Sequence, residues 1–157
     1  APFEMVAMEK PVAEKITIQT GQGPITLRLG GTIDRMDAKD TTLRIVDYKT
    51  GGSPKTPANI EQLFTPSETR PNYIFQTFLY AAIMSRQQSL KVAPSLLYIH
   101  RAASESYPVN NFAFFEDEFR ERLQRLLKEI FDENEPFTQT EDTKKCAYCD
   151  FKAICKR

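Results

Sequence analysis

Asp34, Asp47 and Lys49 stand in two strand-like runs, "GTIDRMD" and "TLRIVDYKT", separated by the short polar break "AKDT". Side chains of a strand alternate between its faces. Asp47 and Lys49 therefore share one side with Leu43 and Ile45, while Arg44, Val46 and Tyr48 take the other. With the turn centred on Asp40–Thr41, antiparallel pairing sets Asp34 opposite Asp47. Two facing carboxylates repel, and a divalent cation between them reverses that sign. Lys49, one pleat further along, reaches a phosphate held by the same ion or orients an attacking water. Mg²⁺ and Mn²⁺ take hard oxygen ligands, commonly one or two carboxylates with water and phosphate completing the shell. Such a set suits phosphodiester hydrolysis. A plain salt-bridged hairpin accounts for the same residues, with Asp34 on Arg35 or Arg44 and Asp47 on Lys49.

The chain that must position these groups has 157 residues, most simply one domain with a sizeable core. Its 41% hydrophobic and 27% charged residues are those of a soluble globular protein rather than a disordered one. Formal net charge is zero, so composition argues neither for nor against nucleic acid. No apolar run approaches a membrane span, and "APFEMVAMEK" is no signal peptide, so no membrane partner is expected. The opening Ala suggests a fragment of something longer. Cys146, Cys149 and Cys155 all fall within the last twelve residues. An odd, clustered set is a poor disulfide framework and points to a reducing, cytoplasmic setting. Their Cys-x₂-Cys-x₅-Cys spacing suits zinc or an iron–sulfur cluster, each of which normally wants four ligands.

The first third reads as β structure. "FEMVAM" and "AEKITIQT" predict separate strands, a Gly-Gln-Gly-Pro turn leads to "ITLRLGGTIDRMD", and "TLRIVDYKT" comes next. "GGSPKTPANIEQLFTPSETRP" predicts a long loop. "NYIFQTFLYAAIMSRQQ" carries a helical stripe of Phe75, Phe78, Leu79 and Ala82. "APSLLYIH" and, more weakly, "YPVNNFAFF" read as strands. "EDEFRERLQRLLKEIFDE" is the clearest helix, striped by Phe119, Leu123, Leu126, Leu127 and Ile130. Glu116, Asp117 and Glu118 would occupy its first turn, and Pro136 would end it. The order β-β-β-β-α-β-β-α predicts an α/β fold, a mixed β-sheet flanked by α-helices.

Taken together, "GTIDRMD", "DYKTGG", "QTFLY" and the terminal cysteines resemble the RecB-like branch of the PD-(D/E)XK nuclease superfamily. The likeness is to the nuclease domains of AddAB- and RecBCD-type helicase–nucleases, and it runs from about Glu9 to the C-terminus. It implies a restriction-endonuclease-like fold. It also implies an Mg²⁺- or Mn²⁺-dependent deoxyribonuclease of exonuclease type, one module of a helicase–nuclease in double-strand break repair. DNA and a helicase domain or subunit would be its partners. By that resemblance Asp34 and Asp47 are metal ligands, Lys49 is the catalytic lysine, and Gln76 and Tyr80 form a Gln-x-x-x-Tyr motif bordering the site. Gln76 and Tyr80 share a helix face, to which Tyr73 adds. Glu9 would be a further metal-proximal carboxylate, although a surface Glu paired with Lys10 or Lys15 reads equally well. Members usually carry an active-site His on an upstream helix that this sequence does not contain. His100, downstream, reads as a structural strand-end residue.

The resemblance further implies that Cys146, Cys149 and Cys155, in the segment 137–157, are ligands of a [4Fe–4S] cluster. The fourth cysteine would lie outside this chain. Lys55, Arg70 and Arg86 are candidate phosphate contacts. A reading from another class is a catalytically inactive, nuclease-like DNA-binding or scaffold domain.

Overall fold

The tight turn at Gly21–Gln22 folds one long strand back on the next, and its two-residue length fixes the register between them. The computed structural model describes residues 3–101, 107–108, 112–141 and 143–157. Strands β1 (Glu4–Thr20) and β2 (Gly23–Lys39) pair antiparallel from Thr20↔Gly23 out to Glu4↔Ala38. The predicted pair of strands is thus one 17-residue strand that runs straight through Pro11. Proline is tolerated there because β1 is an edge of the sheet, where a missing N–H breaks no ladder on the open side. A second two-residue turn at Asp40–Thr41 leads to β3 (Thr42–Lys49), antiparallel to β2.

Strand β4 (Lys91–Tyr98) lies parallel to β3, and parallel neighbours need a crossover. The segment 50–71 supplies its first part. It is not the structureless loop predicted, for it contains a single helical turn, α1 (Glu61–Phe64). Ile60, Leu63 and Phe64 are buried there, at helical i, i+3, i+4 spacing that the surrounding Pro and Thr obscured. Helix α2 (Asn72–Gln87) completes the crossover. The two-residue strand β5 (Tyr107–Pro108) adds antiparallel to β4, giving the order β1-β2-β3-β4-β5. Helix α3 (Phe112–Ile130) starts four residues before the predicted helix, so Glu116–Glu118 lie beyond its first turn. It ends at Ile130, well short of Pro136. A last turn, α4 (Thr143–Cys146), lies in the C-terminal segment. The architecture is a mixed α/β sheet with helices packed on it, and among the described residues no helix is long and apolar enough to cross a membrane.

The core is joined by aromatic rings. Phe119 of α3 is fully buried and lies 5.5–5.6 Å from the rings of Phe64, Phe75 and Phe78. This cluster fastens α1 and α2 to α3 and thereby fixes where α2 stands over the sheet. On β2 the core-facing positions run Ile25, Leu27, Leu29 and Ile33, then step three residues to Met36. The period of two therefore slips by one at Asp34–Arg35, at the middle of the sheet.

Phe119→Ala removes a ring that three neighbours enclose, so the expected loss is about 3–5 kcal/mol. Urea denaturation followed by circular dichroism checks this through a lowered midpoint.

Candidate active site

The β2–β3 ladder runs from Lys39↔Thr42 to Arg35↔Val46 and stops. Extending the register by one step sets Asp34 opposite Asp47, and by two would set Ile33 opposite Tyr48. The amide of Tyr48 instead donates to Asp34 Oδ2, 2.7 Å away. A side-chain carboxylate takes over from a strand carbonyl, so the amide stays satisfied while the strands part. Only Oδ2 of Asp34 is engaged among the described residues, which leaves the other oxygen for a ligand.

The arginines that would neutralise Asp34 in a plain salt-bridged hairpin do not do so. Arg35 Nε lies 3.0 Å from Asp37 Oδ2, and Arg44 bonds Asp37 Oδ1. Arg35 also donates to the Tyr48 hydroxyl at 3.1 Å. Asp37, 0% exposed, is absent from the residues that the sequence singles out, although its two-residue offset from Arg35 places both on one strand face. These pairs consume both arginines beside the acids.

Asp47 is 4% exposed, and among the described residues its one cationic contact is Lys49, with Nζ 2.5 Å from Oδ2. Burial pushes its carboxyl above the usual aspartate range. The Lys49 hydrogen bond and charge oppose that rise, and the nearby Asp34 charge adds to it.

Helix α2 holds the ammonium. Lys49 Nζ donates to Gln76 Oε1 at 2.9 Å and sits 4.5 Å from the centroid of the Tyr73 ring. Gln76 Nε2 in turn makes a long 3.4 Å bond to the Tyr80 hydroxyl. Tyr80 is buried, so it orients Gln76 and does not itself meet solvent. Its hydroxyl lies against the bare backbone of Gly31, where an added Cβ would come within 2.5 Å of it. Gly52 plays a matching part for Tyr73: φ is 82°, and a Cβ there would meet the ring at 3.0 Å.

The remaining candidates are placed elsewhere. Glu9 stands in the register gap opposite Asp34, where its φ of 47° makes β1 locally irregular, and its side chain is exposed. Among the described residues no three acidic, histidine or cysteine side chains converge as a metal-holding group, so Glu9 is not gathered with the aspartates. Cys146, Cys149 and Cys155 are each half-buried, and among the described residues they are not gathered into such a group. The turns they occupy fold locally, as in the Cys149 amide donating to the Cys146 carbonyl at 3.2 Å. His100 is exposed and packs edge-on to Tyr98. Arg86 sits ten residues along α2 from Gln76, about 15 Å at the helical rise, and bonds Glu14 at 2.6 Å. Arg70 Nε donates to the Leu63 carbonyl at 2.6 Å, and Lys55 Nζ reaches the Thr69 carbonyl at 3.4 Å.

The donor set fits a hard divalent cation. Asp47 Oδ2 is buried beside Lys49 Nζ, and Asp34 keeps one carboxylate oxygen without a hydrogen bond among the described residues. Two carboxylates, with water and phosphate for the rest, are what Mg²⁺ or Mn²⁺ accepts.

A model of the PD-(D/E)XK nuclease superfamily matches residues 1–156 of the chain. No curated protein matches it. A solved structure titled "Crystal structure of SSO0001" is similar over 94% of this chain and 59% of that one, with 17% identity and a TM-score of 0.42. The chain spans about three-fifths of the length of that structure.

Mn²⁺ at about one hundred times its Kd is expected to stabilise the fold by about 2.7 kcal/mol, which a thermal-shift titration reads as a rise in Tm. Asp34→Ala and Asp47→Ala are expected to abolish it. The sign with pH comes from the raised Asp47 pKa. Ionising this buried acid weakens the metal-free fold as pH rises from the unfolded to the folded pKa. The metal-induced shift therefore shrinks as pH falls through the folded value and Asp47 protonates.

Proposed function

The chain belongs to the PD-(D/E)XK nuclease superfamily, and we propose that it is a divalent-metal-dependent DNA nuclease whose site is Asp34, Asp47 and Lys49. The observation that carries this reading is the imbalance at the end of the β2–β3 ladder. Asp34 and Asp47 bring two carboxylates there, Lys49 pairs with Asp47, and both adjacent arginines are spent on Asp37. A salt-bridge motif serving stability alone gains nothing from leaving that charge uncompensated.

Each residue then has a part. Asp34 and Asp47 hold the cation, Mg²⁺ or Mn²⁺, which when bound withdraws charge from the scissile phosphate and activates water. Lys49 presents its ammonium to the phosphate oxygens and to the attacking water, favouring the charge that grows as the P–O bond breaks. Gln76 fixes the direction of Lys49, and Tyr80 fixes Gln76. Tyr73 covers the ammonium and limits its hydration.

The finer reading rests on the resemblance in the motifs. It makes the chain a RecB-like, exonuclease-type module of a cytoplasmic helicase–nuclease that processes broken DNA beside a helicase domain or subunit. A [4Fe–4S] cluster belongs to that reading only in a longer protein, with its fourth cysteine outside this chain. Nothing in the hydrolytic steps passes through the thiols.

Incubation of a labelled single-stranded oligonucleotide with the chain and Mn²⁺, followed by gel electrophoresis, tests the assignment. Asp47→Ala and Lys49→Ala are expected to cut at least about a hundredfold more slowly, as when one preorganised charge is removed. Gln76→Ala, which acts through Lys49, should lose about 10- to 100-fold. Equal cutting by all proteins would remove the site. Binding without cutting, in a longer protein as well, would make the domain a DNA-binding scaffold.

A further inference from the structure

The motifs "GTIDRMD" and "DYKTGG" contain three residues to which the hydrolytic steps give no part: Arg35, Asp37 and Tyr48. They stand where backbone pairing stops. The ladder between β2 and β3 ends at Arg35↔Val46, whereas β3 stays paired with β4 through Asp47↔Leu96, Tyr48↔Leu97 and Lys49↔Tyr98. The segment that carries Asp47 and Lys49 is therefore held by main-chain pairing along one edge alone. Toward β2, among the described residues, two hydrogen bonds take over, and both end on Tyr48. Its amide donates to Asp34 Oδ2 at 2.7 Å, and its phenol oxygen accepts from Arg35 Nη1 at 3.1 Å. Asp34 and Arg35 are consecutive, so these two bonds close a ring through carboxylate, backbone, guanidinium and phenol.

Arg35 can hold that ring because it is itself held. Its Nε lies 3.0 Å from Asp37 Oδ2, and its guanidinium carbon lies 5.6 Å from the ring centroids of both Tyr48 and Phe3. Asp37 is fully buried, and Arg44, its partner in the ladder, bonds its other oxygen. The anchorage therefore starts inside the paired part of the sheet and reaches past its end. An arginine fork meets a carboxylate with one nitrogen and a phenol with another in fixed geometry, which a single ammonium does not reproduce.

We propose that Arg35 is a positioning residue for the divalent cation: through the Tyr48 phenol it fixes the Tyr48 amide, and through that amide the direction in which Asp34 offers its free oxygen. The inference rests on the reading of Asp34 and Asp47 as cation ligands and assigns the groups that aim the first of them. Tyr48 points to the strand face opposite Asp47 and Lys49, so Arg35, bonded to its phenol, acts on the ion only through Asp34. A carboxylate that must be ordered as it binds gives up part of its affinity. Losing the pin therefore weakens cation binding although every ligand is still present.

Tyr48→Phe deletes the phenol oxygen and keeps the ring against the guanidinium, while Arg35→Lys keeps the charge and loses the fork. Wild type, both single variants and the double variant are titrated with Mn²⁺ without DNA, and electron paramagnetic resonance counts the free ion. Each single change is expected to raise the Mn²⁺ Kd about tenfold. The double variant should lose no more than either, because both changes break one link. In the metal-free protein the amide of residue 48 is expected to lose protection from deuterium exchange in Tyr48→Phe, while the amide of Ile45 keeps it. A pin that serves stability alone would lower the metal-free Tm and leave the Mn²⁺ Kd at its wild-type value, and that result overturns the inference. So do losses that add in the double variant. A wild type that binds no Mn²⁺, or binds it equally after Asp34→Ala and Asp47→Ala, strikes the cation site and the inference with it. A chain that binds Mn²⁺ through the two aspartates and responds to Tyr48→Phe, yet cuts no DNA, loses the nuclease reading and keeps this one.

Discussion

The hydrogen bond from the Tyr48 amide to Asp34 is the point on which the rest of the molecule turns. A two-stranded ladder cannot simply stop inside a protein, because the next amide would be left without a partner at a cost of about 1–3 kcal/mol. Asp34 closes that gap with its own side chain. The β2–β3 pairing is then able to end beside Asp47 without an orphaned amide. The slipped alternation of β2 at Asp34–Arg35 is the backbone side of the same event.

Electrostatics around this point are partitioned by strand face. Asp37 gathers Arg35 and Arg44 on one side, with Phe3 stacked within 5.0–5.6 Å of both guanidinium groups. The opposite side keeps Asp34, Asp47 and Lys49. Burying charges is tolerable on the first side because each is paired. On the second side the pairing is incomplete. The chain Gly31–Tyr80–Gln76–Lys49 holds the ammonium in one place, so a cation or phosphate arriving there meets a fixed array rather than one it must organise.

Much of this was legible in the residues. The turn at Asp40–Thr41 fixed the register of the ladder as far as Arg35↔Val46, because a two-residue hairpin leaves no freedom. Helical spacing placed Gln76 and Tyr80 on one face and Phe119, Leu123 and Leu127 on another. What the pattern could not carry was tertiary. The continuity of β1 through Pro11 depends on that strand being an edge, which no local rule reports. α1 is too short to show a period, and Ile60, Leu63 and Phe64 are buried only because α2 and α3 come to meet them. The pairing of both arginines with Asp37 depends on which strand face each occupies after the slip. The exposure of Glu9 was hidden for a related reason, since alternation assumes a regular strand and the backbone there is left-handed.

The edge strand has one more consequence. β1 exposes Met5, Val6 and Met8 in a row beside Phe3, a composition that invites a second chain to zip alongside. Its ladder is irregular between Met5 and Ala7, reverses handedness at Glu9 and loses a donor at Pro11. An incoming strand would find three successive interruptions within seven residues. The margin of the sheet is thus greasy yet a poor template for fibril growth, and the protein keeps an open border without inviting copies of itself to extend it.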